Sequence, residues 1–239
     1  MTSTVDMNEQ AVFQSDQDAQ LIDLMKSRAA TYGLLARLYR VEVDEALLGE
    51  LQHMRFPVAT GSSDVDRGFR MLYDYLRGVW QDSVTELAID YVRTFIGHGV
   101  NGYSAAYPFE SVYTNERRLM MQEARAEVLA TFREHMLKRG AWNEGEDHIA
   151  LELEFMQRMS LRIAEALESG DDERTVSLLK TQRGFAHEHL LNWMPMLVAD
   201  MMKFSKTKFY QGLAVLSMGY VKEDAALVEE LLASAGEEK

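Results

Sequence analysis

Cysteine is absent from the 239 residues, and proline occurs only three times. Without thiols there is no disulfide framework, no thiolate zinc or iron–sulfur site and no cysteine nucleophile. Positive charge is also scarce. Against 38 Asp and Glu stand 25 Lys and Arg, a net charge of −13 with an isoelectric point near 4.9. That balance argues against generic nucleic-acid binding, which needs cations to neutralise phosphates, and against docking on an anionic membrane surface. No apolar run approaches the ~20 residues of a membrane-spanning helix. The richest one, 193–202, is cut by Pro195 and Asp200 and reads as a buried helix. The first 20 residues hold Asp6, Glu9, Asp16 and Asp18 but no Lys or Arg, so a basic targeting region is missing and a cytoplasmic protein is expected. Phosphate loops, dinucleotide fingerprints and nucleophile elbows are missing too.

What is present is apolar spacing of three and four, the period of a helix face. From Asp18 to Val41 it picks out Leu21, Met25, Ala29, Tyr32, Ala36 and Tyr39, with residues 1–17 left as a flexible tail. Further helices are predicted over 44–54, 64–80 and 82–97, and a long one over 116–139 with the stripe Met121, Ala124, Val128, Phe132 and Met136, ended by Gly140. Asn143 to Glu146 supplies an N-cap for the next helix, which carries Ile149, Leu153, Met156, Ser160, Ile163 and Leu167. Gly170 stops it. A helix from Asp171 or Asp172 to about Trp193 follows, then three shorter ones near 195–205, 207–219 and 222–235. The expectation is an all-α bundle of roughly ten helices, either one large domain or two soft subdomains, 18–139 and 146–239, hinged at 139–146. Exchange of halves across that hinge would give a homodimer.

Catalytic constellations are thin. A carboxylate-bridged metal site in a helical bundle would need Glu-x-x-His on two helices, and only Glu50–His53 fits. His187 and His189 flank Glu188, and residues two apart on a helix do not share a face, so a solvated polar patch is expected there. Two segments are richer in information. Tyr107-Pro108-Phe109-Glu110-Ser111-Val112-Tyr113 is aromatic and follows the glycine-containing stretch 97–102. Residues 144–154 hold five acids and no base, with Asp147-His148 at the helix start. Acids there complement the helix dipole, but a histidine does so poorly unless carboxylates surround it.

With Glu86-Leu87-Ala88-Ile89-Asp90-Tyr91-Val92-Arg93-Thr94-Phe95-Ile96-Gly97, these segments resemble, in order, three motifs of the TorD/DmsD/NarJ family of redox-enzyme maturation chaperones. The resemblance covers roughly 20–220. It departs from the family pattern where Gly97-His98 replaces Gly-Pro and Glu144-Gly145 replaces Glu-Pro. It implies an all-helical cytoplasmic chaperone, not an enzyme, with no cofactor of its own. The implied partners are the twin-arginine signal peptide and the apo-form of a molybdenum-cofactor oxidoreductase, held until cofactor insertion and before export. The NarJ branch suggests an alternative, help with cofactor insertion without recognition of the arginine pair.

Such a peptide offers two guanidinium groups and an apolar stretch, which suit carboxylates, aromatic faces and a groove. Asp147, His148 and nearby Glu144 or Glu146 are expected to form the polar end. Trp80, Tyr91, Phe95, Tyr107, Phe109 and Tyr113 are expected to supply aromatic walls, although Trp80 and Tyr91 also suit a core at helical spacing. The acid surplus is denser in 140–239, at −8, than in 1–139, at −5.

Overall fold

A computed structural model describes residues 3–57, 59–97, 105–120, 122–137 and 142–237. Within them lie ten α-helices and no strand: α1 (Ser3–Arg40), α2 (Glu45–His53), α3 (Ser63–Leu76), α4 (Ser83–Tyr91), α5 (Glu110–Thr114), α6 (Glu123–Glu134), α7 (Ile149–Glu168), α8 (Asp172–Ala186), α9 (Met194–Phe204) and α10 (Lys208–Glu237). Both α4 and α8 continue into a π-helical turn, Val92–Ile96 and His187–Leu191. The all-helical expectation is met.

Two long pairs build the core, α1 along α7 and α3 along α10, with α8 packed against both α7 and α10. The face expected of α1 is the buried one: Met25, Ala29, Tyr32, Ala36 and Tyr39 are all at most 5% exposed. Burying each of the larger side chains stabilises the fold by roughly 1.5–3 kcal/mol. At the α3–α10 seam, a Cβ on Gly68 would stand 2.6 Å from the Leu216 backbone, and one on Gly219 3.0 Å from Val65 N. The seam therefore closes on glycines from both helices.

Across the molecule, Asp90 of α4 accepts from the N–H groups of Lys206 (2.9 Å) and Thr207 (2.7 Å) and from the Thr207 hydroxyl (2.7 Å), so it caps the start of α10. Beside it the rings of Tyr91 and Phe95 meet Tyr210 of α10 edge-on, with centroids 6.0 and 5.7 Å apart.

Several boundaries differ from the periodicity. α1 begins at Ser3, upstream of Asp18, and α3 ends at Leu76 rather than Trp80. Of the long helix expected over 116–139, only α6 is present among the described residues. Asn115 accepts the Arg117 N–H at 2.9 Å and Arg118 takes φ 51°, which interrupts the helix; Met136 at φ 51° then ends α6 before Gly140. Ala124, Val128 and Phe132 are buried as expected, Met136 is exposed, and Met121 lies outside the described residues. His148 caps α7 in place of residues 143–146, its Nδ1 accepting the Ala150 N–H at 3.0 Å. The two terminal helices expected over 207–235 are one helix, α10, because Gly219 serves packing instead of a break. Residues 98–104, which include most of the glycine-containing stretch, and 139–141 of the expected hinge lie outside the described residues.

Candidate functional site

The segment 108–111 and the entry to α7 are joined by a one-residue antiparallel bridge between Phe109 and His148. The Glu110 N–H donates to the Asp147 carbonyl and the Ile149 N–H to the Pro108 carbonyl, both at 2.9 Å. The Asp147 carboxylate completes this clasp. Its Oδ2 accepts from the Ser111 N–H at 3.1 Å and, in a short bond, from the Ser111 hydroxyl. Asp147 is fully buried as a result. His148 is 3% exposed and sits edge-on between Phe109 (4.9 Å) and Trp142 (4.7 Å). Burial, helped by the nearby Arg40 charge, pushes its imidazole down to about 3. The ring is thus neutral, and with Nδ1 accepting from Ala150 the proton sits on Nε2.

A cavity of about 520 Å³ opens beside this clasp. Of the ten residues expected from the sequence, five line it: Tyr91, Phe95, Phe109, Glu144 and His148. Its other walls come from Ile96, Pro108, Trp142 and the α1–α2 connection, with Arg40, Glu42 and Asp44. The Arg40 guanidinium lies 4.9 Å over the Trp142 ring and pairs closely with Glu154. Tyr91 donates its hydroxyl to the Tyr39 carbonyl at 3.0 Å. Burial first, then the charges of Glu42 and Glu144, push that hydroxyl up to about 12. An aromatic hollow with carboxylates at its edge is suited to a cation carrying an apolar continuation.

The other five expected residues lie elsewhere. Asp147 is behind the wall, in the clasp. Glu146 is buried and pairs with Arg125, Nε to Oε2 at 2.6 Å. Tyr107 is half-buried and outside the cavity lining. Tyr113 stacks on Trp193 with centroids 5.5 Å apart. Trp80 is 56% exposed at a separate hollow of about 380 Å³ with Ile89, Arg93 and Lys206. Because α3 stops at Leu76, Trp80 falls in a loop and not on a helix face pointing to the cavity.

Behind the clasp is a buried acid cluster that spacing did not reveal. Glu110 Oε2 meets His189 Nδ1 at 3.0 Å, and Asn192 Nδ2 donates to Oε1 at 3.3 Å. His189 is therefore buried, contrary to the solvated patch expected around Glu188. Glu152, on the first turn of α7, is fully buried and accepts from Trp193 Nε1 at 3.3 Å. Burial, with Glu110 and Asp147 nearby, holds its carboxyl well above the usual carboxylate range. The available signal was Glu152 itself, an acid one turn into an otherwise apolar helix start.

Comparison with known proteins places these features in a lineage. The family model for the nitrate reductase delta subunit matches residues 62–199. The chain belongs to that family. Chaperone proteins TorD are its relatives: that of Photobacterium profundum is 29% identical over 149 residues, 62% of this chain and 66% of the relative. That of Vibrio cholerae El Tor is 26% identical over 217 residues, 87% and 94% respectively. That of Shewanella pealeana is 27% identical over 222 residues, 86% and 91%. The resemblance seen in the three motifs is thereby confirmed. The span matched by the delta-subunit family model holds Tyr91, Phe95, the clasp and the acid cluster, whereas Arg40, Glu42 and Asp44 come from outside it.

Proposed function

We propose that this chain is a cytoplasmic chaperone that binds the twin-arginine signal peptide of a molybdenum-cofactor oxidoreductase. It holds that precursor until the cofactor is inserted, before export. It is a binder and not an enzyme, in keeping with relatives that are named chaperone proteins. The observation that carries the reading is the cavity, which joins all three motif segments and sets aromatic walls beside carboxylates. In a chain of net charge −13, those carboxylates favour a cationic ligand. No helix of the described residues is long and apolar enough to cross a membrane, so the peptide would be met at the protein's surface.

Titration calorimetry with a synthetic twin-arginine leader tests the reading. Binding is expected, weakening as salt is raised, because the charge pairs are exposed at the mouth. Replacing both arginines of the peptide by glutamine should lower affinity by about tenfold or more, the scale of charge-assisted hydrogen bonds. Equal affinity for both peptides would favour the alternative, a chaperone of cofactor insertion that ignores the arginine pair. That alternative draws on the delta-subunit description of the matching family.

A further inference from the structure

Asp147 and His148 stand next to each other in the sequence, yet the fold gives them different surroundings. The difference divides the work of the proposed site, a division that rests on the chain's binding a twin-arginine peptide. Asp147 cannot meet a ligand in this arrangement. Both hydrogen bonds to its Oδ2 come from Ser111, its carbonyl is taken by the Glu110 N–H, and no part of it is exposed. Its Oδ1 is walled by backbone: a Cβ on Gly145 would stand only 2.8 Å away.

The cavity-lining carboxylates are others. Glu42 follows α1 and Glu144 precedes α7; both are exposed, both line the cavity, and both act electrostatically on the Tyr91 hydroxyl. They therefore reach the same hollow from two separate connections. Asp44, a third acid at the mouth, caps α2 through the Leu47 N–H at 2.8 Å and pairs with Arg37. The chain also shows how this surface treats a guanidinium: Arg40 stacks on Trp142 and pairs with Glu154. His148 lines the same cavity although it is 3% exposed. Its Nδ1 is committed to Ala150, and its Nε2–H has no acceptor among the described residues. A neutral ring with one N–H left over is a donor for a carbonyl, not a partner for a cation.

We infer that Glu42 and Glu144 receive the guanidinium groups at the cavity mouth, that His148 donates Nε2–H to a carbonyl of the same peptide, and that Asp147 is a positioning residue acting through Ser111. A buried carboxylate holds the wall in place, and two exposed ones read the arginines.

Calorimetry with two peptides, the twin-arginine leader and its Gln-Gln counterpart, separates these roles. The double variant Glu42→Gln/Glu144→Gln should lose about tenfold or more for the arginine peptide and leave the Gln-Gln peptide unchanged. It should also lose most of the salt dependence. Asp147→Asn should weaken both peptides by the same factor. Adding Ser111→Ala to Asp147→Asn should weaken neither peptide further, because both changes break one clasp. The inference is overturned if Asp147→Asn erases the preference for arginine while the Glu42/Glu144 double variant keeps it. Wild-type protein that binds neither peptide would instead refute the peptide-binding function itself. Glu42 and Glu144 are exposed, so their replacement leaves the core intact, and far-ultraviolet circular dichroism confirms the fold of each variant.

Discussion

Two of the buried polar networks in this molecule are built differently. In the helical core, Arg28 of α1 donates to both oxygens of Asp224 of α10, at 2.6 and 2.9 Å, and to Gln182 Oε1 of α8 at 2.8 Å. Tyr32 donates to Asp224 at 2.7 Å, and Gln182 donates to the Met156 carbonyl and Ser160 of α7. One cation meets one anion, and four helices are locked in register. Behind the cavity stand three buried carboxyls (Glu110, Asp147, Glu152) and one imidazole, His189, which meets Glu110, while Asp147 Oδ1 and Glu152 Oε1 have no hydrogen-bond partner among the described residues. The first network is closed; the second carries excess acid. A surplus of buried acid costs stability, and here it sits behind the wall of the candidate site. Strain of that kind gathers where a protein holds a surface for a ligand.

The largest expected effect tests the closed network. Asp224→Ala leaves Arg28 buried without its anion and should cost about 3–5 kcal/mol in urea unfolding. A loss under about 1 kcal/mol would mean that water reaches the guanidinium.

The next concerns His148. Its folded-state value near 3 lies below the unfolded value of 6.5. Its contribution is therefore complete above pH 6.5 and is lost as the pH falls toward 3. Between pH 6.5 and 4.5, wild type should lose about 2–3 kcal/mol more than His148→Asn, which keeps a capping acceptor. Parallel pH profiles for the two proteins would mean that the imidazole is neither neutral nor buried in solution.

Ser111→Ala should cost about 2 kcal/mol, because it strips a hydroxyl from a buried carboxylate. Thermal melts would show it, and an unchanged melting temperature would contradict the clasp.

The smallest expected effect is a gain. Glu152 ionises near 4.5 in the unfolded chain and well above that in the folded one. Stability from its proton is therefore complete below pH 4.5 and erodes as pH rises. Glu152→Gln still accepts from Trp193, and at pH 8 it should be more stable than wild type by on the order of 1 kcal/mol. The gap should close by pH 5. A Glu152→Gln protein destabilised at pH 8 would show that the acid cluster is balanced after all.

The face of α1 and the apolar stripe of α7 were legible because apolar spacing alone decides them. α6 was not, since Arg118 and Met136 adopt positive φ under tertiary constraints that no composition announces. Nor was the continuity of α10, where Gly219 looks like a stop until α3 is seen packed against it. Around the cavity, the three motifs marked segments that line it. They could not tell that Asp147 turns inward to a serine 36 residues upstream, or that Trp80 belongs to another hollow. Glu42 was missed because the α1–α2 connection lies far from those segments in the sequence and carries no motif.

The cap that Asp90 places on α10, and the packing of Tyr91 and Phe95 on Tyr210, have a consequence in time. Asp90 and Thr207 stand 117 positions apart, and contacts across so long a stretch of chain are slow to close. One wall of the cavity therefore rests on residues near 207–210, which follow every motif segment in the chain. A ribosome-bound, half-made chain would have the motif segments but no finished hollow. The hollow would take its final form only once those residues are made and docked.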